Sequence, residues 1–196
     1  MNVPYTVERR PDTGLYNAQL GIWLFIASEV MLFGALFSGY ALIRTGADAW
    51  PRGPEHLDVA LGAINTVVLV ASSVTMALAV RAFGRGDWSR GRGLSALTCF
   101  LSVLFLVVKG LEYREHLTRG ELPSTNNFFA VYYTLTGLHG LHVAGGLVVL
   151  AYLIGPGAAL WRDNPAQFTH RAAVTGIYWQ FVDVIWILVF ATIYLL

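Results

Sequence analysis

Four ionisable side chains stand where a chain seldom places them. Glu29 lies within "LFIASEVMLF" (24–33), whose other residues are apolar or small. His139 and His142 lie in "GLHGLHVAGG", and Asp183 lies in "YWQFVDVIW". In lipid such groups are costly and face protein or water. The chemistry open to them is proton exchange, hydrogen bonding between helices, or metal ligation. Glu29 has no basic partner within two turns of its own helix, so both a proton- or lipid-linked role and a structural one stay open. His139 and His142 are three apart and project from one helical face. Two ligands so close on one helix cannot take opposite axial positions on a haem, so hydrogen-bonded packing is their expected role. Asp183 is expected to make an interhelical hydrogen bond, with Gln180 one turn back sharing the network. Asn65 is a further polar group inside an apolar run. Lys109 and Glu112, also three apart, are expected to pair, with His116 extending the pair at the surface.

The elements that carry these groups follow from composition. The chain has 196 residues, of which 56% are hydrophobic and 13% charged, about half the charged share of a soluble domain. Several apolar runs exceed the ~20 residues that cross a bilayer. An all-α, polytopic membrane bundle with five spans follows, over about 18–43, 58–82, 94–116, 127–154 and 174–196. The connections carry the breakers: "TGADAWPRGPEHLD", "FGRGDWSRGRG" and "GPGAALWRDNPAQ". Residues 18–196 read as a single membrane domain and 1–17 as a cytoplasmic tail. The first residues, "MNVPYTVERRPDTGLYNAQ", lack the apolar core and cleavage site of a signal peptide. The single cysteine, Cys99, excludes a disulfide within the chain and argues against a cysteine metal cluster. A net charge of +1 with no basic patch gives no reason to expect nucleic acid.

Lysine and arginine set the orientation. The N-terminal tail and the second and fourth loops hold eight of them, against five on the other side. The N-terminus is therefore expected in the cytoplasm and the C-terminus outside. In that orientation Glu29, His142 and Asp183 lie about 11, 12 and 9 residues from the cytoplasmic ends of their spans. At ~1.5 Å per residue they share a depth, and a Glu29–His142 contact is expected. Small residues suggest where helices approach: Gly137, Gly140, Gly145 and Gly146 in span four, and Gly34, Ala35, Ser38 and Gly39 in span one. Trp23, Trp50, Trp88, Trp161 and Tyr113 fall near span ends, as an aromatic belt requires.

Five stretches together resemble one family, subunit III of the haem–copper respiratory oxidases, as in cytochrome c oxidase. "WLFIASEVMLF" (23–33) is similar to the family's Glu-bearing helix, and "NTVVLVASSVTM" (65–76) to its Asn-Thr…Ala-Ser-Ser segment. "EYREH" (112–116) is similar to the Glu-Tyr that ends a middle helix. "FFAVYYTLTGLHGLHVAGG" (128–146) and "YWQFVDVIWILVFATIYLL" (178–196) are similar to the last two helices. The resemblance covers about 20–196 and matches the short, five-helix bacterial form. It departs at Gln180, where the family usually has His, and at Lys109, where Gln is common. Glu29 stands where quinol-oxidase relatives tend to have Asp.

The resemblance implies an accessory subunit of an aa3-type cytochrome c oxidase in a bacterial plasma membrane, with no catalytic centre of its own. It implies partner subunits I and II, with haem a and copper in the partners and none bound by this chain, and a respiratory supercomplex as a wider setting. It also implies a V-shaped cleft that holds phospholipid, and support of proton uptake and sustained turnover, with Glu29 in that region. Subunit III of a quinol oxidase and the nitric-oxide-reductase accessory protein are related alternatives. A small proton-coupled transporter is the alternative from another class, although neither an inverted repeat nor paired broken helices are present.

Overall fold

A computed structural model of the protein describes residues 14–196. The expected tail lies largely outside the described residues. Five helices are long and apolar enough to cross a membrane: α1 (Asn17–Thr45), α3 (Val59–Gly84), α4 (Trp88–Thr118), α5 (Asn127–Ile154) and α7 (Pro165–Val189), which continues as a π turn over Phe190–Tyr194. Two short helices, α2 (Gly53–His56) and α6 (Ala159–Asp163), lie in the connections. No strand occurs among the described residues.

Capping chemistry fixes where the long helices begin. Asp58, Asp87, Asn126 and Asn164 each accept a hydrogen bond from a backbone N–H three residues on, at 2.9–3.0 Å. Each satisfies a donor that the first turn leaves without an intrahelical partner. Two starts differ from the hydropathy reading. α4 begins at Trp88 rather than near 94, and α7 at Pro165 rather than near 174. Their first turns are polar, so hydropathy passes over them. The Asn164–Pro165 pair is a cap followed by a residue whose fixed φ suits the first helical position.

α3, α4, α5 and α7 pack in a ring, each against the next, with α7 also against α3. α1 lies outside the ring, against α7 and α5. In the apolar window of α1, 11% of residues are buried, against 44% for α7. α1 buries Ile26, Phe33 and Tyr40, spaced by seven, so one narrow stripe attaches it. At the end where α1, α4 and α7 begin, Trp88 stacks on Trp161 with Phe83 and Phe168 against them. The opposite end gathers Tyr40, Trp50, Phe128, Phe129 and Tyr132.

The small residues act differently from the expected pattern. A side chain at Gly146 would meet the Trp179 ring at 2.8 Å, so glycine there lets α5 and α7 close. Gly62 plays the same part beneath the Tyr194 ring. Gly34, Gly39, Gly140 and Gly145 face open space among the described residues, so they bring no helix of this chain closer. Tyr113 also departs from the belt reading: its hydroxyl bonds Thr136 on α5 at 2.5 Å.

Candidate functional site

α1 presents Glu29 at mid-length toward α5. There His142 Nε2 lies 2.9 Å from Glu29 Oε2. The two side chains are 13% and 14% exposed, so solvent screening of the contact is limited. The rest of the imidazole is held as well. Its Nδ1 lies 2.8 Å from the Leu138 carbonyl. With Nδ1 donating to that carbonyl, neutral His142 presents Nε2 to Glu29 as an acceptor; a protonated ring donates at both nitrogens. The Phe33 ring meets the imidazole edge-on at 5.3 Å. Tyr178, from α7, donates its hydroxyl to the His142 carbonyl at 2.9 Å and packs beside Phe25. The Glu29–His142 pair is thus framed by three helices. The arrangement suits a carboxylate–imidazole pair that shares one proton at the rim of the bundle.

The other expected site residues go elsewhere. His139 is fully buried, yet neither ring nitrogen has a hydrogen-bond partner among the described residues. It sits against Phe105 and Trp186, with centroids 5.6 and 5.1 Å away. It packs, but the expected hydrogen bond is absent, because aromatic rings enclose it. Asp183 does not join Glu29: α7 begins at Pro165, which puts Asp183 18 residues from that end of the helix instead of nine, and α7 turns it toward α3. The expected interhelical contact is with Ser73 on α3, whose hydroxyl acts on the carboxylate from outside hydrogen-bond geometry, so neither carboxylate oxygen is paired at that geometry among the described residues. Gln180 instead donates its amide to the Ser73 carbonyl at 3.3 Å. Asn65 donates to the Phe105 carbonyl at 3.4 Å, leaving its own oxygen unpaired.

A second polar cluster lies deeper. Lys109 Nζ donates to Glu112 Oε1 at 3.1 Å, as the spacing predicts. The same oxygen accepts from Tyr132 at 2.7 Å and from Tyr194 at 2.5 Å. Lys109 also reaches both tyrosine hydroxyls, at 3.2 and 2.5 Å. His116 does not extend this pair. Its Nδ1 meets Glu121 Oε2 at 2.5 Å, because the chain reverses at Gly120, where φ is +77°, and brings Glu121 back over the ring. Tyr132, Tyr178, Tyr194 and Glu121 were not singled out from sequence. A hydroxyl inside an apolar run is the signal that marks the first three.

Among the described residues, no group of three or more His, Cys, Asp or Glu is placed to hold a metal. The histidines of α5 do not fit a haem: aromatic rings enclose His139, and His142 is committed to Glu29 and Leu138.

The family model described as cytochrome c oxidase subunit III matches residues 12–196. The chain belongs to the cytochrome c oxidase subunit III family. Its relatives include a probable cytochrome c oxidase subunit 3 of Nocardia farcinica, 38% identical over 176 residues, covering 89% of this chain and 86% of the relative. A cytochrome bo(3) ubiquinol oxidase subunit 3 of Pseudomonas aeruginosa is 29% identical over 181 residues, covering 92% and 85%. A chain of Aeropyrum pernix named heme-copper oxidase subunit I+III is 35% identical over 182 residues, covering 89% of this chain and 22% of that one. The chain is therefore a multi-pass membrane subunit of the haem–copper oxidase class. Glu29 and His142 come from the two stretches "ASEVMLF" and "GLHGLHVAGG", and the fold brings them into contact.

Proposed function

We propose that this chain is the accessory subunit III of an aa3-type cytochrome c oxidase in a bacterial plasma membrane. In this reading its N-terminus is cytoplasmic, from the eight-to-five arginine and lysine bias. It packs against subunit I, with subunit II in the same complex and a respiratory supercomplex as a wider setting. The Aeropyrum relative supports the first contact, since its name joins subunits I and III in one chain. Haem a and copper belong to the partner subunits, and oxygen reduction with proton pumping takes place there. The part of this chain is to stabilise subunit I, hold phospholipid and support proton uptake.

The observation that carries this reading is the Glu29–His142 pair at 2.9 Å. A carboxylate and an imidazole in contact can pass a proton between them without a charge stranded in lipid. Farther along the same α1–α5 interface, an apolar groove of about 280 Å³ lies between Ala35, Gly39 and Ile43 on one side and Val131 and Thr134 on the other. Its lining suits an acyl chain, and Glu29 sits on the same seam.

Purification from membranes tests the subunit reading. Recovery with haem a absorption and copper supports it; recovery of the chain alone, active in liposome transport, supports the transporter. Glu29→Ala in the intact complex tests the proton role. Slower proton uptake or a shortened lifetime during turnover is expected; normal values for both would reduce Glu29 to packing. A quinol oxidase is the second reading, favoured by the Pseudomonas relative. A Cys-x-x-x-Cys copper site in the accompanying subunit II would decide for cytochrome c, and its absence for quinol.

A further inference from the structure

Asp183 takes no part in the Glu29 site. It is 5% exposed, and neither carboxylate oxygen reaches a partner at hydrogen-bond geometry among the described residues. Ser73 on α3 acts on it from across a groove, but its hydroxyl is also short of hydrogen-bond geometry. Gln180 lines the groove too, and its amide is already committed to the Ser73 carbonyl. The groove has a volume of about 350 Å³. Its remaining wall is aliphatic, with Val74 and Val184 more than half exposed. Ser73 lies 11 residues from the Gly84 end of α3 and Asp183 11 residues from the Tyr194 end of the α7 continuation, so each is roughly 16 Å from an opposite end of this antiparallel pair. That is the middle of a ~30 Å hydrocarbon layer.

Chemistry restricts what can cover this groove. An ionised carboxylate needs donors, and a protonated one still needs a partner for its oxygen and its hydrogen. An acyl chain offers neither donor nor acceptor. The hydrocarbon core supplies no water to make up the difference. A polypeptide helix can supply a donor at that depth, and polar side chains serve in this way between membrane helices. The α3–α7 groove differs from the α1–α5 groove in this respect, since the latter has no unpaired carboxylate in its lining.

We propose that the α3–α7 groove docks a transmembrane helix of a partner subunit, which places a hydrogen-bond donor on Asp183 at mid-membrane depth. Val74 and Val184 flank the seat and take the apolar part of that helix, while the small Ala77 leaves room for close approach. The proposal rests on the oxidase reading for one thing only, the identity of the partner as another subunit of the same complex.

Photo-crosslinking in the intact, membrane-embedded complex tests it. A benzophenone side chain is introduced singly at Val74 or Val184, and as a control at Leu141 on α5, which is 71% exposed. From the two groove positions the expected product joins this chain to one oxidase subunit. The captured peptide should be a span carrying Ser, Thr, Tyr, Trp, His, Asn, Gln, Lys or Arg near its middle. Adding Asp183→Leu should cut that product at least fivefold, whereas Asp183→Asn, which keeps an acceptor oxygen, should retain most of it. Because the single variants leave the carboxylate in place, their result stands even if Asp183→Leu fails to fold. Groove crosslinks to lipid alone, or none, in a complex that still contains all subunits would overturn the proposal. So would a captured span without a donor. Recovery of the chain without the haem–copper subunits is a separate readout and defeats the subunit reading itself.

Discussion

Glu29 Oε2 lies 2.9 Å from His142 Nε2, a contact made between residues 113 apart in the chain. It ties the least buried helix to the bundle at mid-depth. The contact has an NMR signature. With ¹⁵N-labelled histidine, Glu29→Gln should shift the ring-nitrogen resonances of His142, whose Nε2 touches residue 29. Glu29→Leu should also loosen α1. Polar contacts between membrane helices contribute about 1 kcal/mol, roughly a fivefold change in an opening equilibrium. Thiol labelling of a cysteine placed at the buried Phe33 position should therefore quicken about fivefold. Unchanged His142 resonances in Glu29→Gln would count against the pair.

The Lys109–Glu112 cluster is a buried ion pair with two tyrosine hydroxyls closing on one carboxylate oxygen. Removing one partner leaves the other charge buried and uncompensated, at a cost of about 3–5 kcal/mol. Glu112→Met should therefore destabilise the chain strongly, read as a loss of thermal stability of the purified complex. The double variant Lys109→Met with Glu112→Met should recover most of that loss, since two apolar residues of similar size replace both charges. A double variant as unstable as the single would show that the tyrosine hydroxyls, not the charges, set the cost.

Much of this was legible in the sequence, for identifiable reasons. Hydropathy reports lipid-exposed length, so five spans emerge. Counting residues from the span ends reports depth, which puts Glu29 level with His142. The same counting placed Asp183 with them because it started α7 near 174 instead of at Pro165, and depth in any case does not report that α7 turns this side chain toward α3. Helix starts at Trp88 and Pro165 are set by Asp87 and Asn164 caps, local chemistry that a hydropathy average blurs. His116 was assigned to Glu112 by helical spacing. Its partner, Glu121, lies beyond a positive-φ glycine, and no periodicity carries across such a turn.

Adjacent glycines on α5 should respond in opposite directions. Gly146→Ala drives a methyl to within 2.8 Å of the Trp179 ring, so it should destabilise by about 1–3 kcal/mol through overpacking. Gly145 has nothing within 4 Å of the added carbon. Gly145→Ala should leave stability unchanged or raise it by up to about 1 kcal/mol, because glycine is the poorer helix former. Differential scanning calorimetry of the two variants separates them. Equal losses at both positions would mean that α5 and α7 do not meet at Gly146 as described.

His139 and His142 are three residues apart and should differ just as clearly. His139 has both ring nitrogens unpaired among aromatic rings. Burying a polar group without a partner costs about 1–3 kcal/mol in proteins. His139→Leu, which keeps the apolar contact and removes that cost, should be neutral or stabilising and should leave proton uptake unchanged. His142→Leu removes the partner of Glu29 and should weaken both stability and proton uptake. Stopped-flow proton uptake beside thermal unfolding reads both effects. A loss of uptake in His139→Leu at full stability would return that histidine to the functional site and require that a proton reach its sealed ring.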